Sequence, residues 1–229
     1  MITNNVIYRT FHITIGDSVG TCFTIDVDGR QYLVSARHLV KPLGQGETIL
    51  IYHENQWKQI RVTLVGHCPG EVDVSVLATN LQLSPTFELE PTARGLTYAQ
   101  EVYFLGFPYG MTVRIGELNR DFPMPFVKKA IVSCMYSTED KTQIYFLDGH
   151  NNPGFSGGPV VFKEPNRPDF NYRVAAVISG FRWSAEPVYE GDQEVPLVYR
   201  YNTGIIVAYG IKHAVDLIQE NPRGYELEA

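Results

Sequence analysis

The chain has 229 residues, of which 44% are hydrophobic and only 19% charged, and its formal net charge at pH 7 is −6. This mild negative charge, with no basic run, argues against nucleic acid as a partner, and no apolar stretch approaches the length that crosses a membrane. Short alternating runs are separated by 20 glycines and 14 prolines, a pattern that favours an all-β unit of two packed barrels over a helical protein.

Residues 1–84 contain a series of short alternating segments that predict the strands of a first barrel. We expect these strands at 6–15, 20–26, 31–35, 48–52, 56–65 and 73–78. Asp28-Gly29 is a strong hairpin signal between the second and third strands, and the returning strand runs directly into His38. Asp73 stands in an otherwise apolar run, where a buried carboxylate is costly unless it is paired. A partner for Asp73 is therefore expected.

The second half of the chain predicts a second barrel and a terminal helix. Residues 85–100, interrupted by Pro91 and Gly95, are expected to link the barrels. Strands of the second barrel, within 101–210, are expected at 101–106, 112–119, 127–135, 144–146, 159–162, 173–179 and 201–207. Apolar residues recur at helical spacing over 211–220, which predicts a C-terminal helix. The whole chain, 1–229, is thus expected to form a single domain.

The segment 152–159, NPGFSGGP, has the composition of a nucleophilic serine beside an oxyanion hole. A hydroxyl becomes nucleophilic when a base takes its proton, and the attacked carbonyl needs donors aimed at the oxygen that turns negative. Glycines let the backbone bend so that the N–H groups of Gly154, Phe155 and Ser156 point into one hollow. A tight glycine-rich turn with a solvated serine has the same composition, so the segment alone does not decide between the two.

His38, Asp73 and Ser156 follow one another in an order that resembles the trypsin-like, chymotrypsin-fold serine peptidases, most closely the bacterial HtrA/Deg-type branch. The resemblance rests on seven segments: GTCF at 20–23, VSARH at 34–38, VDVSVL at 72–77, LGFPYG at 105–110, GFSGGP at 154–159, VAAVISG at 174–180 and NTGIIV at 202–207. Each segment is loose by itself, but the ordered set spans almost the whole chain. The implied fold is all-β, with two six-stranded antiparallel β-barrels and a C-terminal helix.

The resemblance implies a serine endopeptidase that acts on a polypeptide substrate without a cofactor. Ser156 would be the nucleophile and His38 the general base, while Asp73 would hold the tautomer of the imidazole and stabilise its cation. The first barrel would supply His38 and Asp73, and the second would supply Ser156. No metal is called for, because the remaining histidines are interpreted as surface or structural residues (His12, His53, His67 and His213).

The resemblance also suggests where a substrate would bind. Ser179 matches the strand serine that commonly bonds the triad aspartate, and the backbone of Ser179, Gly180 and Phe181 would pair with an extended peptide. His150 would lie near the base of the first specificity pocket, where acidic side chains would be accepted. Ile178 and the segment 204–206, which begins with Gly204, suggest instead an aliphatic pocket. Both preferences remain open at this point.

Two residues depart from the family pattern. Phe155 replaces the aspartate that trypsins pair with a newly cut N-terminus, and no RIVGG activation site precedes the domain, which argues against zymogen activation by that route. Pro153, before the glycine of the oxyanion hole, either makes the loop rigid or holds it in an inactive shape. No peptide-binding regulatory domain is expected to accompany the peptidase domain, and a regulatory partner or a homo-oligomer remains an open alternative.

Other functions compete with this interpretation. The segment around Ser156 also satisfies the G-x-S-x-G elbow of α/β-hydrolases, but that elbow leads into a helix and its histidine follows the serine. Here a strand is expected at 159–162, and only His213, in the terminal helix, follows Ser156. Two alternatives on the trypsin-like scaffold remain: a catalytically silent or partner-gated binding module, and a non-proteolytic acyl hydrolase.

The cysteines predict a reducing location. Cys22, Cys68 and Cys134 are odd in number, widely separated and without metal-ligand spacing. Within the resemblance, Cys22 matches one half of a trypsin disulfide, but Leu39 occupies the position of its partner, so that bond cannot form. The N-terminus also lacks the basic-then-apolar layout of a signal peptide. We therefore expect free thiols and a cytoplasmic location.

Overall fold

The first half of the chain forms an antiparallel sheet that closes on itself. The structure, a computed structural model, describes residues 2–44, 46–113, 122–165 and 171–228. The strands of the first barrel are β1 (Thr10–Ile15), β2 (Ser18–Val27), β3 (Arg30–Ser35), β4 (Thr48–His53), β5 (Gln56–His67) and β6 (Ser75–Thr79). They lie in the order β3-β2-β1-β4-β5-β6, and a further pairing of β3 with β6 joins the two ends.

The second half forms a closed barrel in the order β10-β11-β12-β9-β8-β7. Its strands are β7 (Glu101–Gly106), β8 (Phe126–Ser137), β9 (Gln143–Asp148), β10 (Pro159–Phe162), β11 (Arg173–Glu190) and β12 (Gln193–Gly210). The remaining elements are α1 (Asn4–Ile7), α2 (Arg37–Val40), α3 (Lys212–Glu220) and β13 (Tyr225–Glu226), the last of which pairs with β3. The all-β fold with two six-stranded barrels and a C-terminal helix is thus confirmed.

The two barrels share apolar surface along β7. Neighbouring residues of a strand point to opposite faces, so Phe104 fills the core of the second barrel while Leu105 packs with the core of the first. Both side chains are fully buried. Val161 and Val177, on the neighbouring strands β10 and β11, pack toward the first barrel in the same way. This shared layer fixes the relative position of the barrels, and therefore of residues that each barrel carries to the boundary.

The observed elements differ from the predicted ones at the first strand and at β11 and β12, and one predicted strand is not tested. The first strand was expected from residue 6, but α1 occupies Asn4–Ile7 and β1 begins at Thr10. Most of the strand expected at 112–119 lies outside the described residues. Strands β11 and β12 contain 18 residues each and form a long ribbon that pairs as far as Glu190 and Gln193. Strands were expected only at 173–179 and 201–207, because the ribbon between them is mostly exposed and so has no buried face to give an alternating pattern.

His12 is a buried structural histidine. Its side chain is 3% exposed, its ring stacks on Phe107 with centroids 5.0 Å apart, and Trp57 lies edge-on at 4.8 Å. Neither ring nitrogen has a hydrogen-bond partner among the described residues. Burial lowers the pKa of His12 to about 4 from 6.5. The folded chain therefore keeps this imidazole neutral at pH values where the unfolded chain would protonate it.

We expect His12 to make the protein less stable as the pH falls from about 6.5 toward 4. Across this range the unfolded state binds a proton that the folded state excludes, which costs on the order of 2 kcal/mol of unfolding free energy. Urea unfolding at several pH values measures this loss. The His12→Phe variant keeps an aromatic ring beside Phe107 but cannot titrate, so its stability should fall less over the same range. If the unfolding free energies of the wild type and of His12→Phe fell equally between pH 6.5 and 4, the prediction would be contradicted.

Candidate active site

His38 and Asp73 meet because two paired strands end side by side. Ser35 at the end of β3 lies opposite Ser75 at the start of β6, so the residues just beyond each strand become neighbours. The Nδ1 atom of His38 lies 2.7 Å from Oδ2 of Asp73. The backbone N–H of His38 donates to Oδ1 of the same carboxylate at 2.8 Å. One carboxylate therefore fixes both the backbone and the ring of His38.

Ser179 supplies a third hydrogen bond to this carboxylate. Its hydroxyl donates to Oδ2 of Asp73 at 2.6 Å. Burial alone would raise the pKa of Asp73, but the bonds from His38 and Ser179 and the attraction of the imidazole lower this pKa below its ordinary value on balance. An ionised Asp73 favours the tautomer with the proton on Nδ1 of His38, which leaves Nε2 free to accept another proton.

Ser156 lies beside Ser179 at the boundary between the barrels. The N–H of Gly157 donates to the carbonyl of Ile178 at 2.7 Å, which extends the pairing of β10 with β11 and places the preceding serine next to Ser179. The hydroxyl of Ser156 donates to the carbonyl oxygen of Ser179 at 3.0 Å. Within the described residues this hydroxyl makes no hydrogen bond to His38; such bonds often form only when a substrate binds.

In the loop before Ser156, two backbone N–H groups point away from the residues that hold the loop in place. The carbonyl of Pro153 accepts a bond from the N–H of Tyr109 at 2.8 Å, and the carbonyl of Ser156 accepts one from Thr21 at 3.0 Å. Because C=O and N–H point in opposite directions across a trans peptide, the N–H of Gly154 points away from Tyr109. Within the described part of the chain, the N–H groups of Gly154 and Ser156 have no acceptor. They are available to a ligand.

The N–H of Phe155 was expected to point into the same hollow, and the structure corrects this expectation. This N–H donates within the loop, to the carbonyl of Asn152 at 3.3 Å. Gly154 has a φ of +103°, and a Cβ at this position would lie 2.2 Å from the carbonyl oxygen of Phe107. Only glycine fits there. With this backbone conformation, the N–H groups of Gly154 and Ser156 stay free while the N–H of Phe155 bonds within the loop.

Lys128 is a neighbour of this loop that the sequence analysis did not identify. It lies on β8, and its ammonium donates to the backbone carbonyl of His150 and to Oδ1 of Asn152, the latter at 2.6 Å. The ring of Phe155 is 0% exposed, and its centroid lies 5.6 Å from the same ammonium. The sequence hints at this contact only through the pair Lys128-Lys129 in an alternating strand. Adjacent strand residues point to opposite faces, so one of these two lysines must face inward.

Two of the five residues expected to bind a substrate line a cleft of about 400 Å³. His150 and Phe181 line it, together with Trp183 and with Arg200, whose guanidinium lies 4.7 Å from the ring centroid of Trp183. Gly204 is not part of this lining, and its carbonyl oxygen accepts a bond from Gly149 at 2.9 Å. The cleft wall is therefore aromatic and polar.

None of the three isoleucines expected in an aliphatic pocket lines this cleft, and Ile205 is exposed on β12. Ile178 and Ile206 are 0% exposed and belong to the core of the second barrel. Ser179 and Gly180 continue β11 from Ile178 to the boundary of the barrels, where both are partly exposed. Apart from the two residues adjacent in sequence, no described residue has an atom within 4 Å of the position where a Cβ of Gly180 would stand. The strand is thus open to an extended ligand at this residue.

A comparison with protein families assigns the chain to a family. Residues 20–165, more than half of the chain, match a family model described as a trypsin-like peptidase domain. The chain belongs to the trypsin-like peptidase family. It is thereby assigned to the serine proteases, a class of hydrolases. No curated protein sequence matches the chain.

Solved structures of trypsin-like peptidases share the fold. The HtrA-type protease AlgW, solved with a tripeptide, has 18% sequence identity and a TM-score of 0.61, and the match covers 95% of this chain and 61% of that one. Rv3671c from M. tuberculosis H37Rv, in an inactive form, has 18% identity and a TM-score of 0.59 over 94% of this chain and 87% of that chain. The chain thus spans about three fifths of the AlgW chain, and the expected likeness to HtrA-type proteases is confirmed in the fold.

The cysteines of this trypsin-like peptidase are free thiols. Cys22 and Cys68 are buried and Cys134 is partly buried. Burial raises the pKa of Cys22 above its ordinary value, and it raises the pKa of Cys68 to about 12.

Among the residues that the structure describes, no helix has the length and apolar character needed to cross a membrane. The described ranges also hold no group of three or more metal-ligand side chains.

Proposed function

We propose that this trypsin-like peptidase is a serine endopeptidase that cleaves peptide bonds with His38, Asp73 and Ser156. The observation that carries the proposal is a continuous series of hydrogen bonds across the barrel boundary. Ser156 bonds to the backbone of Ser179, the hydroxyl of Ser179 bonds to Asp73, and Asp73 bonds to His38. A solvated serine in a glycine-rich turn would not require a partly buried, ionised carboxylate and an oriented imidazole beside it.

The proposed reaction begins when the hydroxyl of Ser156 turns from Ser179 to Nε2 of His38. As Oγ attacks the substrate carbonyl, His38 takes the hydroxyl proton, and the N–H groups of Gly154 and Ser156 stabilise the oxyanion. His38 then gives this proton to the leaving amine, and an acyl-enzyme remains. Water then attacks the acyl-enzyme as His38 takes one of its protons, and His38 returns this proton to Oγ of Ser156 as the acid is released. Asp73 stays ionised throughout and stabilises the imidazolium.

We propose that an extended polypeptide pairs with the backbone of Ser179, Gly180 and Phe181. The open space at Gly180 supports this, since an added strand needs close approach to the backbone. One substrate side chain would enter the cleft beside His150 and Arg200, and Gly204 would support the cleft wall from β12. The tripeptide in the AlgW structure supports a peptide ligand for this fold. The free cysteines support a reducing compartment such as the cytoplasm.

One observation favours the gated alternative: the hydroxyl of Ser156 rests on Ser179 rather than on His38. A partner could then be needed to move it. Against this, the loop before Ser156 is held by internal contacts. Tyr109 fixes the carbonyl of Pro153, and Phe155 is buried against the ring of Phe104 at 5.0 Å. These contacts do not depend on a newly cut N-terminus, so the loop is expected to be competent as it folds.

We therefore expect the purified chain, with its mass verified as intact, to react with a fluorophosphonate probe. The reaction should give one covalent adduct at Ser156, identified by peptide mass spectrometry, and Ser156→Ala is the matched control. Reaction only after the N-terminus is trimmed would contradict this prediction. Reaction only after a partner is added would favour the gated module. Reaction with the probe and cleavage of esters but never of peptides would favour the acyl hydrolase.

A further inference from the structure

We propose that Lys128 is a positioning residue for the oxyanion hole, which it holds open by fixing the loop 150–155 from the barrel side. The inference rests on the proposed function, because it assigns a role to Lys128 only if the N–H groups of Gly154 and Ser156 stabilise a reacting oxygen. Lys128 touches neither the substrate nor the reacting atoms in this proposal. It acts through the backbone that carries them.

The register of β8 explains why a lysine lies under the loop. Ala130 and Val132 are buried and face the inside of the barrel, whereas Lys129 and Ile131 are exposed. Lys128 lies in the inward series and pairs across the sheet with Phe104. The ammonium of Lys128 is partly buried at the end of the barrel, so it loses part of its hydration and hydrogen-bond acceptors replace the lost water. The acceptors it finds all belong to the loop that precedes Ser156.

Lys128 contacts this loop at three residues. Its ammonium donates to the carbonyl of His150 and to Oδ1 of Asn152, and it lies 5.6 Å from the ring centroid of Phe155, within the range of a cation–π interaction. The acceptors are uncharged, and burial lowers the pKa of Lys128 from its ordinary value. A single side chain thus ties together both ends of the segment that shapes the hole.

Asn152 transmits the position of Lys128 to the peptide that carries the N–H of Gly154. The side-chain amide of Asn152 donates to the hydroxyl of Tyr109 at 3.2 Å, and the backbone N–H of Tyr109 donates to the carbonyl of Pro153 at 2.8 Å. The carbonyl of Asn152 also accepts the N–H of Phe155. Lys128 on one side and Tyr109 on the other therefore hold Asn152, and with it the turn that aims the N–H of Gly154.

The adjacent Lys129 offers a matched control. Its ammonium forms an ion pair with Glu101 on the outside of the barrel, and its side chain is 53% exposed. Lys129→Met thus removes the same charge from the same strand without touching the loop. Lys128→Met removes the ammonium and keeps the length of the side chain, whereas Lys128→Arg keeps a cation that can still donate to carbonyl oxygens.

The test measures kcat and KM on a peptide substrate, the rate of fluorophosphonate labelling, and the affinity of a peptide aldehyde whose adduct places an oxyanion in the hole. We expect Lys128→Met to lower kcat and the labelling rate by about 100-fold, because a shift of about 1 Å at a reacting group has an effect of this size. KM should change little, and aldehyde affinity should fall in proportion to kcat. Lys128→Arg should recover most of the loss, and Lys129→Met should match the wild type.

Equal kinetics for Lys128→Met and Lys129→Met would overturn the inference. So would a loss of activity that only follows a lower melting temperature and that Lys128→Arg does not restore. If Lys128→Met does not fold, Asn152→Leu breaks the contact with Lys128 from the loop side together with the bond to Tyr109, and Tyr109→Phe, which loses only the latter bond, is its control. A lower kcat with unchanged KM in Asn152→Leu but not in Tyr109→Phe supports the inference, and equal kcat in these two variants overturns it. A wild-type chain that never labels at Ser156 would instead refute the proposed function, so the two failures are distinguishable.

Discussion

Ser156→Ala should lower turnover of a peptide substrate by about a million-fold and abolish labelling by a fluorophosphonate. The proposed nucleophile is the hydroxyl, and the shape of the turn around it is set by Gly154 and Gly157, both at positive φ, rather than by the serine side chain. The variant should therefore fold normally. Turnover is measured on a fluorogenic peptide, with a melting curve to verify the fold.

His38→Ala is the companion variant for this prediction. It should cause a loss of similar size, and the double variant should be little worse than either single variant, because a nucleophile and its base act as a unit. Additive losses would indicate that the two residues serve separate steps. Proteolysis that persists in Ser156→Ala, after contaminating peptidases are excluded with a mock purification, would end the assignment.

Asp73→Asn should lower turnover by about ten-thousand-fold while leaving the positions of the side chains nearly unchanged. The amide can still accept the backbone N–H of His38 through its oxygen, but its NH₂ group would face Nδ1. The imidazole would then carry its proton on Nε2, where it must instead accept one from Ser156. Turnover at neutral pH measures the effect, and Asp140→Asn, at an exposed residue in the turn between β8 and β9, is the control for loss of one negative charge.

A normal turnover in Asp73→Asn would show that this carboxylate is not the third member of the triad.

The lowered pKa of Asp73 also predicts how the stability of the fold depends on pH. The hydrogen bonds to its ionised form stabilise the fold above the ordinary pKa of an aspartate, and they are lost as the pH falls through the lower folded value. The melting temperature of the wild type should therefore drop more steeply than that of Asp73→Asn in strong acid.

The parts of the molecule that the sequence predicted are those with local signals. Alternating runs, the Asp28-Gly29 turn and the helical spacing of apolar residues before Asn221 each reflect sterics within a few residues, and they placed most strands and the terminal helix correctly. The apolar run around Asp73 predicted that its carboxylate has a partner, and the resemblance to trypsin-like peptidases named His38 as that partner. The observed bond at 2.7 Å agrees with that expectation.

The features that the sequence did not predict depend on contacts between distant segments. The register of β8 against β7 decides which of Lys128 and Lys129 faces inward. The N–H of Phe155 donates to the carbonyl of Asn152, three residues earlier. The extension of β11 and β12 needs each strand to pair with the other beyond the barrel. The ribbon beyond the barrel is mostly exposed and so has no buried face to give an alternating pattern.

Gly154 and Gly180 have opposite consequences for how this cleft can change by mutation. At Gly154, the positive φ and the carbonyl oxygen of Phe107, which would lie 2.2 Å from an added Cβ, make every other residue costly. Gly180 has an ordinary φ and, apart from the two residues adjacent in sequence, no described residue has an atom within 4 Å of the place where a Cβ would stand, so a side chain can be added there without disturbing the barrels. A substitution at Gly180 would narrow the groove beside the strand where we propose that a substrate pairs. An engineer who seeks a new cleavage preference should begin with a library at this residue.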